Sequence, residues 1–539
     1  MTHRIDRRSL LLTGTLGLGA FAIPGFAAAF AGMGQGFTHS VASGEPGPDR
    51  MLLWTRYVPA SGDSARVRAE ISETADFARI AGGGQAITGP WRDWTVKIAV
   101  TGLLPGRRYF YRFVGPDGSI SPIGRTRTLP NSTRRFTLAV FSCSNMGFGW
   151  FNAYAHAAAR GDIDLGIHVG DYIYEYGPGV YPSAARQLTG RMPQPEHEIL
   201  ALADYRLRYA SYRSDPDLQA LHAAIPMLIQ WDDHETANNS WEGGAQNHQA
   251  NEGDWSVRRA AAIQAWHEWM PVSETPWAAY DIGGLATLFR TESRLLGRTR
   301  SADIAPLFLA SDPARALAEF RDGPWQDAAA SMLGSEQEAW LSRAIAASVR
   351  SGRKWQVTAF GTILGQLRAP ADAVDWLLPD GDKYTRAYVQ GSVAAGKAGL
   401  PVDLDNWGGY PAARARFLKS AQAADANLLV LCGDSHNAWA FDLAQDGHAA
   451  GVEFAGHSVT SPGYEDALGP DFRRIEAGMA AANPELKWCD VSRRGYMALT
   501  LTPERATNHW LFVDTVLTRN PAASIGHTAT VKRGSNRMA

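Results

Sequence analysis

Residues 225–235 read Ile-Pro-Met-Leu-Ile-Gln-Trp-Asp-Asp-His-Glu, an apolar run that ends in four consecutive ionisable side chains. The run Ile225–Trp231 carries no charge and is typical of a buried strand. Because unpaired charge is costly to bury, the side chains from Asp232 to Glu235 need a neutralising partner. A bound cation is the simplest partner, so this stretch predicts a metal site at the end of a buried strand.

Three other apolar runs end in side chains that bind metals. They are Leu138–Phe141 before Cys143, Leu165–Val169 before Asp171, and Leu428–Cys432 before Asp434 and His436. Helical patterns alternate with the strands, at Trp150–Arg160, Arg258–Met270, Ser335–Arg350 and Ala412–Ala424. This alternation predicts a layered α/β fold. The carboxyl ends of strands form the active-site edge of such folds, so we expect the four clusters to converge in space.

Single members of these clusters have other interpretations. Asp171 after Gly170 is equally typical of a turn, and Cys143 alone is more typical of a buried core thiol. Their shared position at strand ends favours the ligand interpretation. Asp434 and His436 are two positions apart, so on an extended segment both point the same way. Further along the chain, Ser335 and Glu338 predict a capping box at the start of a helix.

Composition limits the class of protein. The 539 residues leave room for several domains, and 45% are hydrophobic. The 52 basic side chains nearly cancel the 54 acidic ones, which excludes binding to nucleic acid or a membrane surface through bulk charge. We therefore infer no stable nucleic-acid or membrane partner. Three cysteines are too few for a disulfide framework.

The first 31 residues have the pattern of an export signal. Arg7 and Arg8 precede a charge-free apolar run from Leu10 to Ala22, and small residues follow around Ala29. The arginine pair favours a twin-arginine signal over an ordinary secretory one, and so predicts the twin-arginine export machinery as a partner. We expect the mature protein to be periplasmic or secreted.

The remaining chain divides into three segments. In residues 32–130, short alternating runs separated by Gly, Pro and Asp predict an antiparallel β sandwich. We interpret it as a scaffold domain, with a sugar- or surface-binding module as the alternative. Residues 131–519 contain the four clusters, and the tail 520–539, rich in Ala, Ser and Thr, is expected to be loosely ordered.

Taken together, the motifs resemble those of the PhoD-type alkaline phosphatases. The resemblance rests on Phe141-Ser142-Cys143, on residues 170–176 and 231–235 with Asn238-Asn239, on Gly433-Asp434-Ser435-His436, on Met332-Leu333-Gly334 and Arg494-Gly495-Tyr496, and on Val41 to Pro46 and Leu53 to Arg56 near the amino terminus. It spans nearly all of the mature chain. It implies a catalytic core of the metallophosphoesterase type, with an architecture related to that of the purple acid phosphatases. An N-terminal β sandwich would precede this core in the chain.

The resemblance also implies roles for individual residues. Asp171 would bridge two metals; Cys143, Tyr174 and His436 would complete a site for Fe³⁺, and Asp233 and Asp434 would hold Ca²⁺, with one or two calcium ions per chain. His234 would face the phosphate as a general acid or phosphate ligand. Arg258 or Arg259 is expected to grip the phosphate.

The function implied is hydrolysis of phosphomonoesters, phosphodiesters or both by metal-activated hydroxide. A phospholipase D-like phosphodiesterase is the alternative within the enzyme class, and a non-catalytic secreted phosphate-binding protein is the alternative outside it. Three sites depart from the family pattern, and they are expected to border the pocket. Residues 291–294 keep a carboxylate and the arginine Arg294, but the acid is Glu292, one methylene longer than the family's Asp; the other two departures are His457 and Glu485.

Overall fold

A computed structural model describes residues 34–378 and 383–539, so the predicted export signal, residues 1–31, lies outside the described residues. The strands are β1 Gly36–Gly44, β2 Arg50–Val58, β3 Ala65–Ser72, β4 Ile80–Thr88, β5 Thr95–Thr101, β6 Arg108–Val114, β7 Gly124–Arg127, β8 Phe136–Phe141, β9 Leu165–His168, β10 Met227–Ile229, β11 Ala278–Ile282, β12 Ala286–Arg290, β13 Trp355–Ala359, β14 Leu428–Cys432, β15 Ala438–Gln445, β16 His448–Ala455, β17 Leu486–Asp490, β18 Gly495–Leu501, β19 Arg505–Val513 and β20 Ala523–Lys532. The α-helices are α1 Asn152–Ala159, α2 Leu202–Arg213, α3 Pro216–Ala224, α4 Trp255–Trp269, α5 Pro313–Asp322, α6 Gly334–Arg350, α7 Lys383–Lys397, α8 Pro411–Ala423 and α9 Phe472–Ala482.

Two large sheets form the centre of the molecule. The first has nine strands in the order β20-β19-β18-β8-β9-β10-β1-β2-β5, and the second has seven in the order β11-β12-β13-β14-β16-β15-β17. In the first sheet β8, β9 and β10 are parallel, and Phe141 and Ile229 both pair with His168. The residues that follow these three strands therefore begin at one level, along one edge of the sheet.

The core has the layered arrangement predicted from the sequence. Leu138, Ile167, Val357 and Leu431 belong to one buried apolar cluster that lies between the two sheets. A second cluster joins the outer face of the nine-stranded sheet to α1, α2, α3 and α4, and a third joins the outer face of the seven-stranded sheet to α6, α8 and α9. The α/β prediction is confirmed, as a helix–sheet–sheet–helix stack. Among the described helices, none combines the length and apolar character needed to cross a bilayer.

The predicted N-terminal β sandwich is present, and one of its sheets continues into the central sheet. Strands β4-β3-β6-β7 form a separate four-stranded layer, which packs on β1, β2 and β5 around a core that includes Val67, Ile71, Ile98 and Phe113. Strand β1 then pairs with β10 through Gly44 opposite Met227. This pairing connects the sandwich directly to the strand that precedes Asp232.

Two local predictions were wrong. Ser335 lies inside α6, and the side chain near the helix start that accepts a hydrogen bond is Ser331, whose Oγ accepts from the Gly334 N–H at 2.8 Å and donates to Glu338 at 2.9 Å. The helix begins at Gly334, whose φ is +74°, so Ser335 lies in its first turn and is not the N-cap residue. The tail was expected to be loosely ordered, but residues 523–532 form β20, which pairs along the whole of β19 and buries Val531.

Candidate metal centre

The four strand ends converge, and most of the predicted ligands lie on left-handed backbone there. Cys143 (φ 57°), Asp171 (φ 58°), Asp434 (φ 63°) and His436 (φ 62°) all have positive φ, which is uncommon for residues other than glycine. Strain of this kind concentrates at functional sites, where the surrounding structure holds it in place. The expectation of an extended Asp434–His436 segment was therefore wrong. These two side chains belong to different groups of ligands.

The first group combines a thiol, a phenol and an imidazole. Ligand atoms of Cys143, Asp171 and His436 lie within 4.8 Å of one another. The Tyr174 hydroxyl donates to Asp171 Oδ2 at 3.0 Å, lies 3.3 Å from His436 Nε2, and accepts from Ser461 at 2.8 Å. His436 Nδ1 lies 2.7 Å from the Pro462 carbonyl, which fixes the proton on Nδ1 and leaves the Nε2 lone pair facing the group. We call these residues the thiol–phenol side of the centre.

The second group consists of carboxylates. Ligand atoms of Asp232, Asp233 and Asp434 lie within 4.8 Å of one another, and a further group of Asp171, Asp233 and His234 meets the same criterion. Asp171 therefore belongs to groups on both sides of the centre. We call Asp232, Asp233 and Asp434, together with the shared Asp171, the carboxylate side.

Two unpaired oxygens indicate that these residues fit cations. Within the described residues, no hydrogen-bond donor reaches Asp171 Oδ1 or Asp233 Oδ1, although both atoms are buried. Burial raises the pKa of the Asp171 carboxyl well above its usual range, and Asp233 and Asp232 add to the rise against the opposing effect of His234. Burial and then Asp171 raise the pKa of the Cys143 thiol in the same way. Cations between these groups would supply the missing partners, and the oxygen, sulfur and nitrogen donors suit metal ions.

His234 is held by a buried carboxylate. Its Nδ1 lies 2.7 Å from Glu175, which also accepts from the Asn238 N–H at 2.7 Å and from Asn247 at 2.9 Å. Burial opposes the charged imidazolium, but Glu175, Asp233 and Asp171 outweigh it and hold the pKa of His234 well above its usual range. The ring packs against Tyr174 with 4.2 Å between centroids. Because Nδ1 is engaged by Glu175, Nε2 is the nitrogen free to meet a ligand.

Glu235 ties together the loops that carry the ligands. Its carboxylate accepts from the backbone N–H groups of Asp171 at 3.1 Å, Tyr172 at 2.7 Å and Asp232 at 2.8 Å. The ends of β9 and β10 are thus fixed to one side chain. Gly170 permits their close approach, because a Cβ there would collide with the Cβ of Asp232.

The two predicted arginines have partners outside the centre. Arg258 pairs with Glu198 at 2.9 Å and Glu252 at 3.2 Å, and Arg259 donates to the Glu242 carbonyl at 2.7 Å. A role for either in gripping phosphate stays a prediction. The arginine that the structure places among the carboxylates is Arg294.

The three departing side chains have partners outside both groups of ligands. Glu292 accepts from the Trp231 indole and nearby backbone N–H groups, His457 bonds the Leu511 carbonyl, and Glu485 pairs with Arg414. Arg294, the arginine that this segment keeps, lies among the carboxylates. Glu175 was not predicted to be a site residue, although it lies within the motif 170–176. Its carboxylate is a side chain of the type that orients a histidine.

The fold has relatives among solved structures. A solved structure of PhoD superposes with a TM-score of 0.75 at 27% identity, over 94% of this chain and 92% of that one. A purple acid phosphatase from yellow lupin (Lupinus luteus) seeds superposes with a TM-score of 0.56 at 13% identity, over 93% of this chain and 75% of that one, which shows a shared fold. The fold, with the match to PhoD, places the protein in the metallophosphoesterase class of phosphoric ester hydrolases.

Sequence comparison then gives the family. The PhoD-like phosphatase model matches residues 138–510, and the model of the PhoD-like phosphatase N-terminal domain matches residues 26–130. Alkaline phosphatase D of Bacillus subtilis (strain 168) is 32% identical in an alignment that covers 93% of this chain and 81% of that protein. The chain belongs to the PhoD-like phosphatase family.

Proposed function

We propose that this protein hydrolyses phosphomonoesters and phosphodiesters outside the cytoplasm, at a centre that holds two kinds of cation. Cys143, Asp171, Tyr174 and His436 hold a ferric ion, and Asp171, Asp233 and Asp434 hold calcium. Residues 1–31 direct twin-arginine export, residues 32–130 form the scaffold sandwich, and residues 131–519 form the catalytic domain.

The observation that carries this proposal is the position of Asp171. Its carboxylate lies within 4.8 Å of ligand atoms of Cys143 and His436 in one group, and of Asp233 and His234 in another. One of its oxygens is buried without a hydrogen-bond donor among the described residues. A carboxylate shared in this way would serve both cations of a two-metal hydrolase.

The chain's own residues account for orientation and proton transfer. When bound, the cations supply charge neutralisation for the phosphate oxygens and acidify the attacking water. Glu175 holds His234 Nδ1 at 2.7 Å, so that Nε2 can donate a proton to the leaving oxygen of the ester. The Tyr174 and Tyr176 rings pack against the imidazole, with centroids 4.2 and 5.4 Å from it, and limit its rotation.

The test is a substrate panel on protein exported by its own signal. We expect hydrolysis of an alkyl phosphate, a nitrophenyl phosphate and bis-nitrophenyl phosphate, with loss of all three activities on removal of metals and recovery on adding iron and calcium together. Hydrolysis of the diester alone would favour the phosphodiesterase alternative. Phosphate binding without turnover of any substrate would contradict the proposal and favour the binding-protein alternative.

A further inference from the structure

Arg294 is a fully buried arginine that occupies both oxygens of Asp232. Its Nε lies 2.5 Å from Asp232 Oδ1 and its Nη2 lies 3.2 Å from Oδ2. Its Nη1 donates to Asp405, which in turn pairs with Arg298. Asp232 and Asp405 are therefore neutralised by guanidinium groups that cannot lose their protons.

The same guanidinium lies close to the other carboxylates without bonding them. Arg294 Nη2 is 3.6 Å from Asp233 Oδ1 and 3.6 Å from Asp434 Oδ1, which is too long for a good hydrogen bond. Asp233 Oδ2 accepts from the Asn239 N–H at 2.6 Å, while Oδ1 has no donor among the described residues. The oxygens still free to bind a cation thus belong to Asp171, Asp233 and Asp434.

Packing holds Asp232 and Arg294 in this arrangement. Glu235 accepts from the Asp232 N–H at 2.8 Å, and Glu292 accepts from the Arg294 N–H at 2.7 Å. A Cβ at Gly361 would collide with Asp232 Oδ1, so only glycine fits against this carboxylate. Asp232 cannot turn towards the other carboxylates without losing the guanidinium.

We infer that Arg294 is a fixed positive charge that keeps Asp232 out of the metal coordination and limits the affinity of Asp171, Asp233 and Asp434 for a divalent cation. Calcium affinity rises with the number of charged ligands, and Arg294 both removes one ligand and repels the ion. The consequence for the enzyme is a divalent position that exchanges its ion. This inference rests on the proposed two-metal centre.

The test is a calcium titration of the full-length protein by isothermal calorimetry, after a calcium chelator has removed divalent ions. Arg294→Gln frees Asp232 and removes the positive charge, so we expect it to bind calcium on the order of tenfold more tightly than the unmodified protein. The matched control is Arg56→Gln, which breaks a buried pair with Asp93 in the sandwich and should leave calcium affinity unchanged.

Unchanged or weaker calcium binding by folded Arg294→Gln would overturn the inference. If that variant does not fold, the double change Asp232→Asn with Arg294→Met removes both charges together. We then expect one calcium equivalent to bind at least as tightly as in the unmodified protein, whereas loss of binding would identify Asp232 as a ligand and overturn the inference. Failure of the unmodified protein to bind any divalent ion would instead reject the two-metal function, and the inference with it.

Discussion

The two sides of the centre share Asp171 but differ in chemistry and charge. The thiol–phenol side brings Cys143 and Tyr174 together with His436, whose burial lowers its pKa to about 3 and keeps it neutral. The carboxylate side gathers aspartates and includes a buried guanidinium. Each side therefore suits a different ion, because soft and easily oxidised donors select transition metals while carboxylates select hard divalent ions.

The ligands of the two sides reach the centre from two different sheets. Cys143 and Asp171 follow β8 and β9 of the nine-stranded sheet, whereas Asp434 and His436 follow β14 of the seven-stranded sheet. Left-handed backbone at Asp434 and His436 turns neighbouring residues of one strand end towards opposite sides of the centre. The ligands thus follow strands of both sheets, and the backbone turns at Asp434 and His436 decide which side of the centre each of these two side chains faces.

Removing the shared residue should have the largest effect. Asp171→Ala deletes a ligand from both sides, so we expect loss of both metals and of activity on every substrate. Metal analysis and turnover assays check this, with the exposed Asp322→Ala as a control. Activity above roughly 10⁻² of the unmodified level, with both metals retained, would contradict a bridging role.

Changing His234 should separate substrates by their leaving groups. We expect His234→Asn to slow alkyl phosphates by about 10²–10⁴-fold and nitrophenyl phosphates far less, because only poor leaving groups need a proton. Glu175→Gln should give a smaller change in the same direction, since it loosens Nδ1 and leaves Nε2 present. An equal loss on both substrates in steady-state assays would reject proton donation and leave phosphate binding.

The two sides can be told apart by visible absorption. Tyr174→Phe removes one hydroxyl from the thiol–phenol side and should shift or weaken the band from the ferric ion, whereas Asp233→Asn should lower calcium content and leave the band in place. Absorption spectra and metal contents of the two variants check this. A band that responds to Asp233→Asn and not to Tyr174→Phe would reverse the assignment of the sides.

The smallest effect is expected far from the centre. Ile71→Val in the sandwich core should lower the free energy of unfolding by about 1 kcal/mol, because it removes one buried methylene group. Urea unfolding measures the loss, and turnover and metal content should stay unchanged. A change in metal content would mean that the sandwich contributes to the centre through β1 and β10.

Much of the site could be predicted from the sequence, because each ligand follows a buried apolar run. Strand β14, Leu428–Cys432, matches its prediction residue for residue. The direction of Asp434 and His436 could not be predicted, since positive φ at residues other than glycine leaves no pattern in composition. The pairing of Arg294 could not be predicted either, because its partners Asp232 and Asp405 lie 62 and 111 positions away in the chain.

The proposed centre holds iron on the thiol–phenol side and calcium on the carboxylate side. Elemental analysis combined with visible spectroscopy, on active protein exported by its own signal, tests it most directly. Thiolate or phenolate bound to a ferric ion absorbs visible light, whereas zinc has a filled d shell and cannot absorb in this way. We predict coloured protein with one iron and one or two calcium ions per chain. Colourless, fully active protein that contains zinc and no iron would contradict the claim.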